Sequence, residues 1–190
     1  MKELKDQQEF LGLMKELIVI FKPKVYVELG TEFGSTFNRI APLVELAIAV
    51  DHKITSEIID AGNILKFEME TEEFIAKFST LFNLVIDFLF IDADHKKESV
   101  LADFDGMLPF VREGTGLIFL HDTHPANIKR TSEMYCNNAW EAAWEIRTNK
   151  KYQDAEIITL PGPIAGISII RKSKNQLSWR ANEFNNCSAC

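Results

Sequence analysis

The sequence predicts an α/β fold built on a doubly wound, mostly parallel sheet with helices on both faces. Three observations carry this expectation. Short apolar runs alternate with stretches of helical period, as βαβ units require. The first run, Val25-Tyr26-Val27-Glu28-Leu29, opens through Gly30 and Gly34 into Phe37-Asn38-Arg39-Ile40, the strand, tight turn and helix start of a nucleotide-binding corner. A later run, Leu84 to Ile91, is apolar almost throughout, as a central parallel strand covered on both faces must be.

The elements follow in order. Phe10, Leu11, Leu13, Met14, Leu17, Ile18 and Phe21 recur at helical spacing until Lys22-Pro23-Lys24 stops them. This predicts an amphipathic helix over residues 4–21 that covers the sheet, with a lid or a homodimer contact left open for it. After the glycine corner come a helix over 35–44, a strand over 46–51, a short helix over 54–61 and a strand over 64–69. Glu70 then opens a helix over 71–80, where an acid already suits the helix dipole. The central strand spans 84–91 and ends at Asp92-Ala93-Asp94-His95; Ser99 to Phe110 forms the next helix. Gly114 and Gly116 turn the chain into a strand over 117–120, ending at His121-Asp122-Thr123-His124. A helix over 137–148 precedes two strands, 155–160 and 165–171, whose Pro161-Gly162-Pro163 link predicts a closing antiparallel pair.

Length and composition bound the function. A chain of 190 residues suits one domain, here residues 1–172 with 1–22 as its covering segment, and a polar tail over 173–190. The net charge of −7, without a basic stripe, argues against a nucleic-acid partner and for a small substrate. Three cysteines, Cys136, Cys187 and Cys190, do not make a disulfide framework. The N-terminus carries acids and lacks a continuous apolar region, and no later segment is long enough to span a bilayer, so a cytoplasmic protein without a membrane partner is expected.

The glycine corner discriminates between nucleotides. A dinucleotide fingerprint places glycines first, third and sixth, whereas here those places hold Gly30, Glu32 and Ser35. Glu28 and Glu32 would repel a pyrophosphate and attract a ligand bearing a sulfonium and an ammonium. Asp51 ends the second strand about 20 residues after the turn, where doubly wound folds grip a ribose.

Glu28-x-Gly30-x-x-x-Gly34, followed by Ala47-Ile48-Ala49-Val50-Asp51, resembles the first two motifs of class I S-adenosylmethionine (SAM)-dependent methyltransferases. The resemblance implies a Rossmann-like sheet of order 3-2-1-4-5-7-6 with strand 7 antiparallel. It implies that Glu28 and Gly30 hold the methionine end of SAM, that Thr36 reaches its carboxylate and that Asp51 takes both ribose hydroxyls. Thr31, Gly34 and His52 join these as cofactor contacts, with Glu70 beside the adenine and Asp92 at the neighbouring strand tip.

Asp92 and Asp122 end adjacent strands next to the reversal of strand order. Two carboxylates there either repel or share a cation, and a hard ion such as Mg²⁺ accepts such oxygens. Asp92-Ala93-Asp94-His95 and His121-Asp122-Thr123 resemble the metal-dependent O-methyltransferases, above all a bacterial branch that includes methyltransferases of antibiotic sugars. That likeness implies Asp92, Asp122 and Thr123 as metal ligands and His95 as general base, acting on a small hydroxylated acceptor such as a sugar, natural product or catechol. Thr123 stands where the catechol type has Asn, and His95 where it has Lys; imidazole can serve as a base near neutral pH.

Other readings stay open. Asp94-His95 can cap the helix beginning near Lys97. His121 can point away from the cleft by the period of two, and His124 can be a loop residue. His95, His121 and Asp122 also allow a transition-metal oxygenase or hydrolase. Thr123 in place of Asn also allows a non-catalytic SAM-binding protein. Trp140 and Trp144 share a helix face, as core or as an acceptor-stacking wall.

Overall fold

The computed structural model describes residues 10–173. The predicted tail beyond Ser173, with Cys187 and Cys190, lies outside the described residues, as does the predicted helix start at 4–9. Seven strands form one sheet: β1 (Val25–Leu29), β2 (Leu46–Asp51), β3 (Ile64–Glu68), β4 (Phe88–Ile91), β5 (Leu117–His121), β6 (Ala155–Leu160) and β7 (Ile167–Lys172). Their order is β3-β2-β1-β4-β5-β7-β6, with β7 antiparallel to β5 and β6 and the rest parallel, as expected from the sequence. The order reverses between β1 and β4, which opens a crevice beyond their carboxyl ends.

Two apolar layers sandwich the sheet. On one face α1 (Leu11–Phe21) and the short α2 (Phe37–Ile40) bury Leu11, Met14, Ile18, Phe37 and Ile40 against Tyr26, Phe88 and Phe119. On the other, α3 (Thr71–Leu81), α4 (Lys97–Met107) and α5 (Ala139–Thr148) pack Phe74, Phe78, Val100, Phe104 and Ala142 against Val27, Leu29, Leu89 and Ile118. Alternate residues of β1 thus serve opposite layers, which sends Tyr26 and Glu28 to the α1 side. No helix among the described residues is long and apolar enough to cross a membrane.

Two predicted elements change. Residues 54–61 form turns rather than a helix. Their backbone is held by side chains: Asn38 donates to Glu57 O and accepts from Ile59 N, and Lys66 donates to Ile58 O. Three β-branched isoleucines and flanking Ser and Thr make a helix a poor competitor to those bonds. The strand expected over 84–91 shortens to 88–91, with Ile86 only bridging Val111. Asp87 is the cause: its Oδ2 accepts from Lys24 N at 2.8 Å and Val25 N at 3.0 Å, and its Oδ1 pairs with Arg112, which ties the amino edge of β1 to the start of β4.

Candidate active site

The glycine corner is built by contact between strand tips. Gly30 has φ +85°, and a Cβ there would come within 2.3 Å of Asp92 O and 2.4 Å of Ala93 Cα. Only glycine lets the β1 turn lie against the β4 tip. Glu32 follows in a left-handed conformation (φ 45°), and its N–H donates to Asp51 Oδ2 at 2.8 Å. Asp51 Oδ1 accepts from Lys53 N at 3.0 Å and lies 2.9 Å from Nδ1 of the exposed His52. The Asp51 carboxylate therefore pins the turn to β2, and its remaining lone pairs leave capacity for further donors.

Glu28 lies beneath this turn, 2 % exposed, accepting from the Tyr26 hydroxyl and the Phe37 N–H. Burial, aided by the Asp92 charge and opposed by the Tyr26 bond, pushes its pKa well above the ordinary carboxylate range. Its carboxyl is engaged beneath the turn by Tyr26 and Phe37. Thr31 and Thr36 are buried in the same turn, and Thr31 Oγ1 is without a hydrogen-bond partner. A buried hydroxyl left unpaired costs about 1–3 kcal/mol, and this one marks a place that a polar ligand would complete. Gly34 packs against Asn38 and Ile58, and Glu70 is an exposed residue preceding α3.

At the tips of β4 and β5 four side chains converge. His95 Nε2 is 3.5 Å from Asp92 Oδ1 and 3.1 Å from Asp122 Oδ2, and Asp92, His95 and Asp122 present ligand atoms all within 4.8 Å of one another. His121 Nδ1 is 3.0 Å from Asp92 Oδ1 and 3.3 Å from Asp122 Oδ2. Successive strand residues point to opposite faces, which left the direction of His121 open in the sequence. Asp122 breaks that alternation with φ +59°, and the kink brings both neighbours to one cluster. Aspartate tolerates this left-handed region better than most residues.

Two imidazoles face two carboxylates. Burial disfavours the His95 cation, but hydrogen bonding to Asp92 and the charge of Asp122 outweigh it and push its pKa up to about 9. Burial opposes the His121 charge as well, and the same two carboxylates hold its pKa well above the ordinary value. Burial alone would raise Asp122; bonding to His121 and the nearby charges hold it well below the usual carboxylate range.

The loop after β5 is moored to this cluster at two successive residues. The Tyr135 carbonyl bonds His95 Nδ1, and the buried Cys136 thiol, its pKa pushed up by burial and by the Asp122 charge, donates to Asp122. These two contacts, made 40 residues from His95 and 14 from Asp122, left no spacing signal in the sequence. Asp94 and His95 divide the roles proposed for them jointly: Asp94 accepts from Lys96 N and the Ser99 hydroxyl at the start of α4, while His95 turns into the cluster. Thr123, given as a metal ligand from the sequence, is buried just beyond the β5 tip. Its hydroxyl donates to Leu120 O at 3.3 Å and accepts from Ser168 at 2.8 Å, under the β5–β7 pair. His124 is exposed. Trp140 and Trp144 stay 40 % and 62 % exposed and line an open groove of about 780 Å³ with Lys97 and Glu145, so they are not core.

The comparisons agree with this architecture. The O-methyltransferase from Bacillus cereus, solved with SAH, superposes with a TM-score of 0.63 at 19% identity, over 87% of this chain and 80% of that one. The O-methyltransferase TomG from Streptomyces achromogenes, involved in tomaymycin synthesis and solved with SAM, gives 0.66 at 12% identity, over 86% and 79%. The MycE methyltransferase of the mycinamycin pathway, solved with Mg, SAH and mycinamycin VI, gives 0.62 at 14% identity; the match covers 89% of this chain and 50% of that one. No curated protein sequence matches. The methyltransferase-domain family profile matches residues 27–123, from the glycine corner through the kinked strand tip. With that match over half its length and this strand order, the chain belongs to the methyltransferase domain family and carries the class I SAM-dependent fold.

Proposed function

We propose that the protein transfers the SAM methyl group to a hydroxyl of a small acceptor, a sugar, natural product or catechol-like molecule, with help from a divalent cation. The observation that carries this reading is the convergence of Asp92, Asp122 and His95 Nε2 beside the glycine corner. The residues suit both groups. The unpaired Thr31 hydroxyl and the Asp51 carboxylate at the β2 tip offer the polar partners an adenosyl ligand needs. Carboxylates at two adjacent tips form a donor set for a divalent ion. Such an ion would act as a Lewis acid toward the acceptor hydroxyl.

The chain's own side chains do the rest. Asp51 orients the ribose, while the Gly30 turn lets the donor lie against the strand tips. His95, with Nδ1–H held by the Tyr135 carbonyl, would present Nε2 as the group that takes the hydroxyl proton once a bound cation offsets the Asp92 and Asp122 charge that holds its pKa up. Positioning of acceptor oxygen and methyl carbon in line supplies much of the acceleration.

Incubation of the purified protein with SAM and a panel of hydroxylated sugars and catechols, with Mg²⁺ or with chelator, tests this by mass spectrometry. A methylated product that depends on the metal and disappears in His95→Ala, with SAM affinity retained, is the expected result. SAM binding with no product under any condition would favour a non-catalytic binding protein instead.

A further inference from the structure

Helix α5 has its side-chain sizes inverted. Its buried face is Ala139, Ala142, Ala143 and Ile146, while the two tryptophans look outward. At 3.6 residues per turn, Trp140, Glu141, Trp144, Glu145 and Thr148 share an arc of about 140°. Lys97 of α4 helps to wall the groove that they line. Two indoles left outside a core that alanine fills contribute little to folding, and exposed apolar surface of this kind marks a binding site. Neither indole has a hydrogen-bond or ring partner among the described residues.

The chain's own cations leave the indole faces open. Lys97 Nζ is held by Glu145 Oε2 at 2.7 Å, and Lys151 is bound to Asp105 at 2.6 Å. The bond to Glu145 raises the Lys97 pKa, with the charges of Glu141 and Glu98 acting in the same sense, so three carboxylates stand around one ammonium. Glu141 has no ion pair among the described residues. The groove of about 780 Å³ falls within the roughly 300–1,000 Å³ of small-molecule sites. Its two indoles expose on the order of 300 Å², well short of the roughly 800 Å² that each partner gives to a stable protein interface.

We propose that this groove binds a small organic cation, an ammonium or guanidinium with an apolar body, its positive group set against the indole faces and Glu141. Tryptophan offers a cation the most favourable ring face of any side chain. The acidic rim repels anions and draws cations in. None of the residues assigned to methyl transfer takes part, so the site stands or falls apart from that reading.

Nuclear magnetic resonance of the whole chain tests the proposal, with choline as the probe and the neutral alcohol in which carbon replaces the choline nitrogen as its control. Choline should shift the indole N–H resonances of Trp140 and Trp144 saturably, and the neutral alcohol should bind about two- to fivefold more weakly. Trp144→Leu keeps apolar bulk but removes the ring, and should bring choline down to the level of the alcohol. Glu141→Gln should weaken choline and leave the alcohol unmoved. Trp144 is largely exposed, so the variant should fold with its Tm unchanged. Equal binding of the two probes, choline binding untouched in Trp144→Leu, or no saturable shift would overturn the site. So would a mass in sedimentation that falls in Trp144→Leu, which would give the groove to a second copy. A short polyarginine peptide that binds there where choline does not would give it to a protein partner, and would equally overturn the proposal.

Discussion

Gly30 lies so close to Asp92 that a single methyl group would meet the Asp92 carbonyl oxygen at 2.3 Å. The contact is with backbone, which cannot swing aside, and Gly30 also has φ +85°. Gly30→Ala is therefore expected to destabilise by about 2–4 kcal/mol, combining overpacking with left-handed strain, a fall in Tm of about 5–15 °C for a chain this long. Gly12→Ala, inside α1 with nothing within 4 Å, is the control and should raise stability by about 0.5–1 kcal/mol. Thermal unfolding of the two variants checks both signs.

Thr31→Val separates a ligand contact from a structural one. The hydroxyl has no partner in the structure, so removing it should leave ligand-free stability unchanged or raise it by about 1 kcal/mol. SAM affinity should fall about five- to tenfold, since one hydrogen bond is lost. Denaturant unfolding and calorimetry report the two quantities, and a destabilised variant with normal affinity would remove Thr31 from the cofactor site.

Asp103 is an uncompensated buried acid. It is 2 % exposed on α4, and burial, opposed by a hydrogen bond from Thr71, raises its pKa to about 6. A carboxyl raised on folding contributes stability below its unfolded pKa near about 3.9 and loses it as pH rises through the folded value. Asp103→Asn should therefore stabilise at pH 7–8 by about 1–3 kcal/mol and lose that advantage near pH 4. Urea titrations at both pH values test it.

Asp87 behaves in the opposite sense. Burial would raise it, but Arg112 and the N–H groups of Lys24 and Val25 hold its pKa below the ordinary value. Its contribution is present above the unfolded pKa and disappears as pH falls through the folded one. Asp87→Ala should cost about 2–4 kcal/mol at neutral pH, from stranded backbone donors and an unpaired guanidinium, with a smaller loss in strong acid. Guanidinium unfolding across pH 3–7 measures the trend.

The sheet was legible because each strand declares itself twice, as an apolar run and as the polar residue that ends it. Glu28, Asp51, Asp92 and Asp122 mark tips in sequence, and the Pro161-Gly162-Pro163 link marks the closing antiparallel pair. Segment 54–61 was misread because periodicity cannot register the Asn38 amide that holds it as turns. In the site, Asp92, His95 and Asp122 were visible as strand-end acids and a nearby base. His121 was named but its direction stayed open, because it depends on one backbone angle at Asp122. Tyr135 and Cys136 reach the cluster only through the fold of a loop, and the Thr123 hydroxyl is claimed by Ser168, a partner 45 residues away.

The double mooring of the post-β5 loop has a consequence for how this enzyme can diversify. Tyr135 and Cys136 fasten the loop's distal end, and the backbone bonds of His124 and Ala126 to Ala165 and Ile164 fasten its proximal end. Between those anchors the carbonyls of Arg130 and Ser132 accept from Cys136 N and Tyr135 N, so the turn itself is tied to the chemical centre, while the side chains of Ile128 and Met134 stand in solvent. Variation of the surface offered to an acceptor is therefore cheapest by substitution at those two positions, without change of loop length.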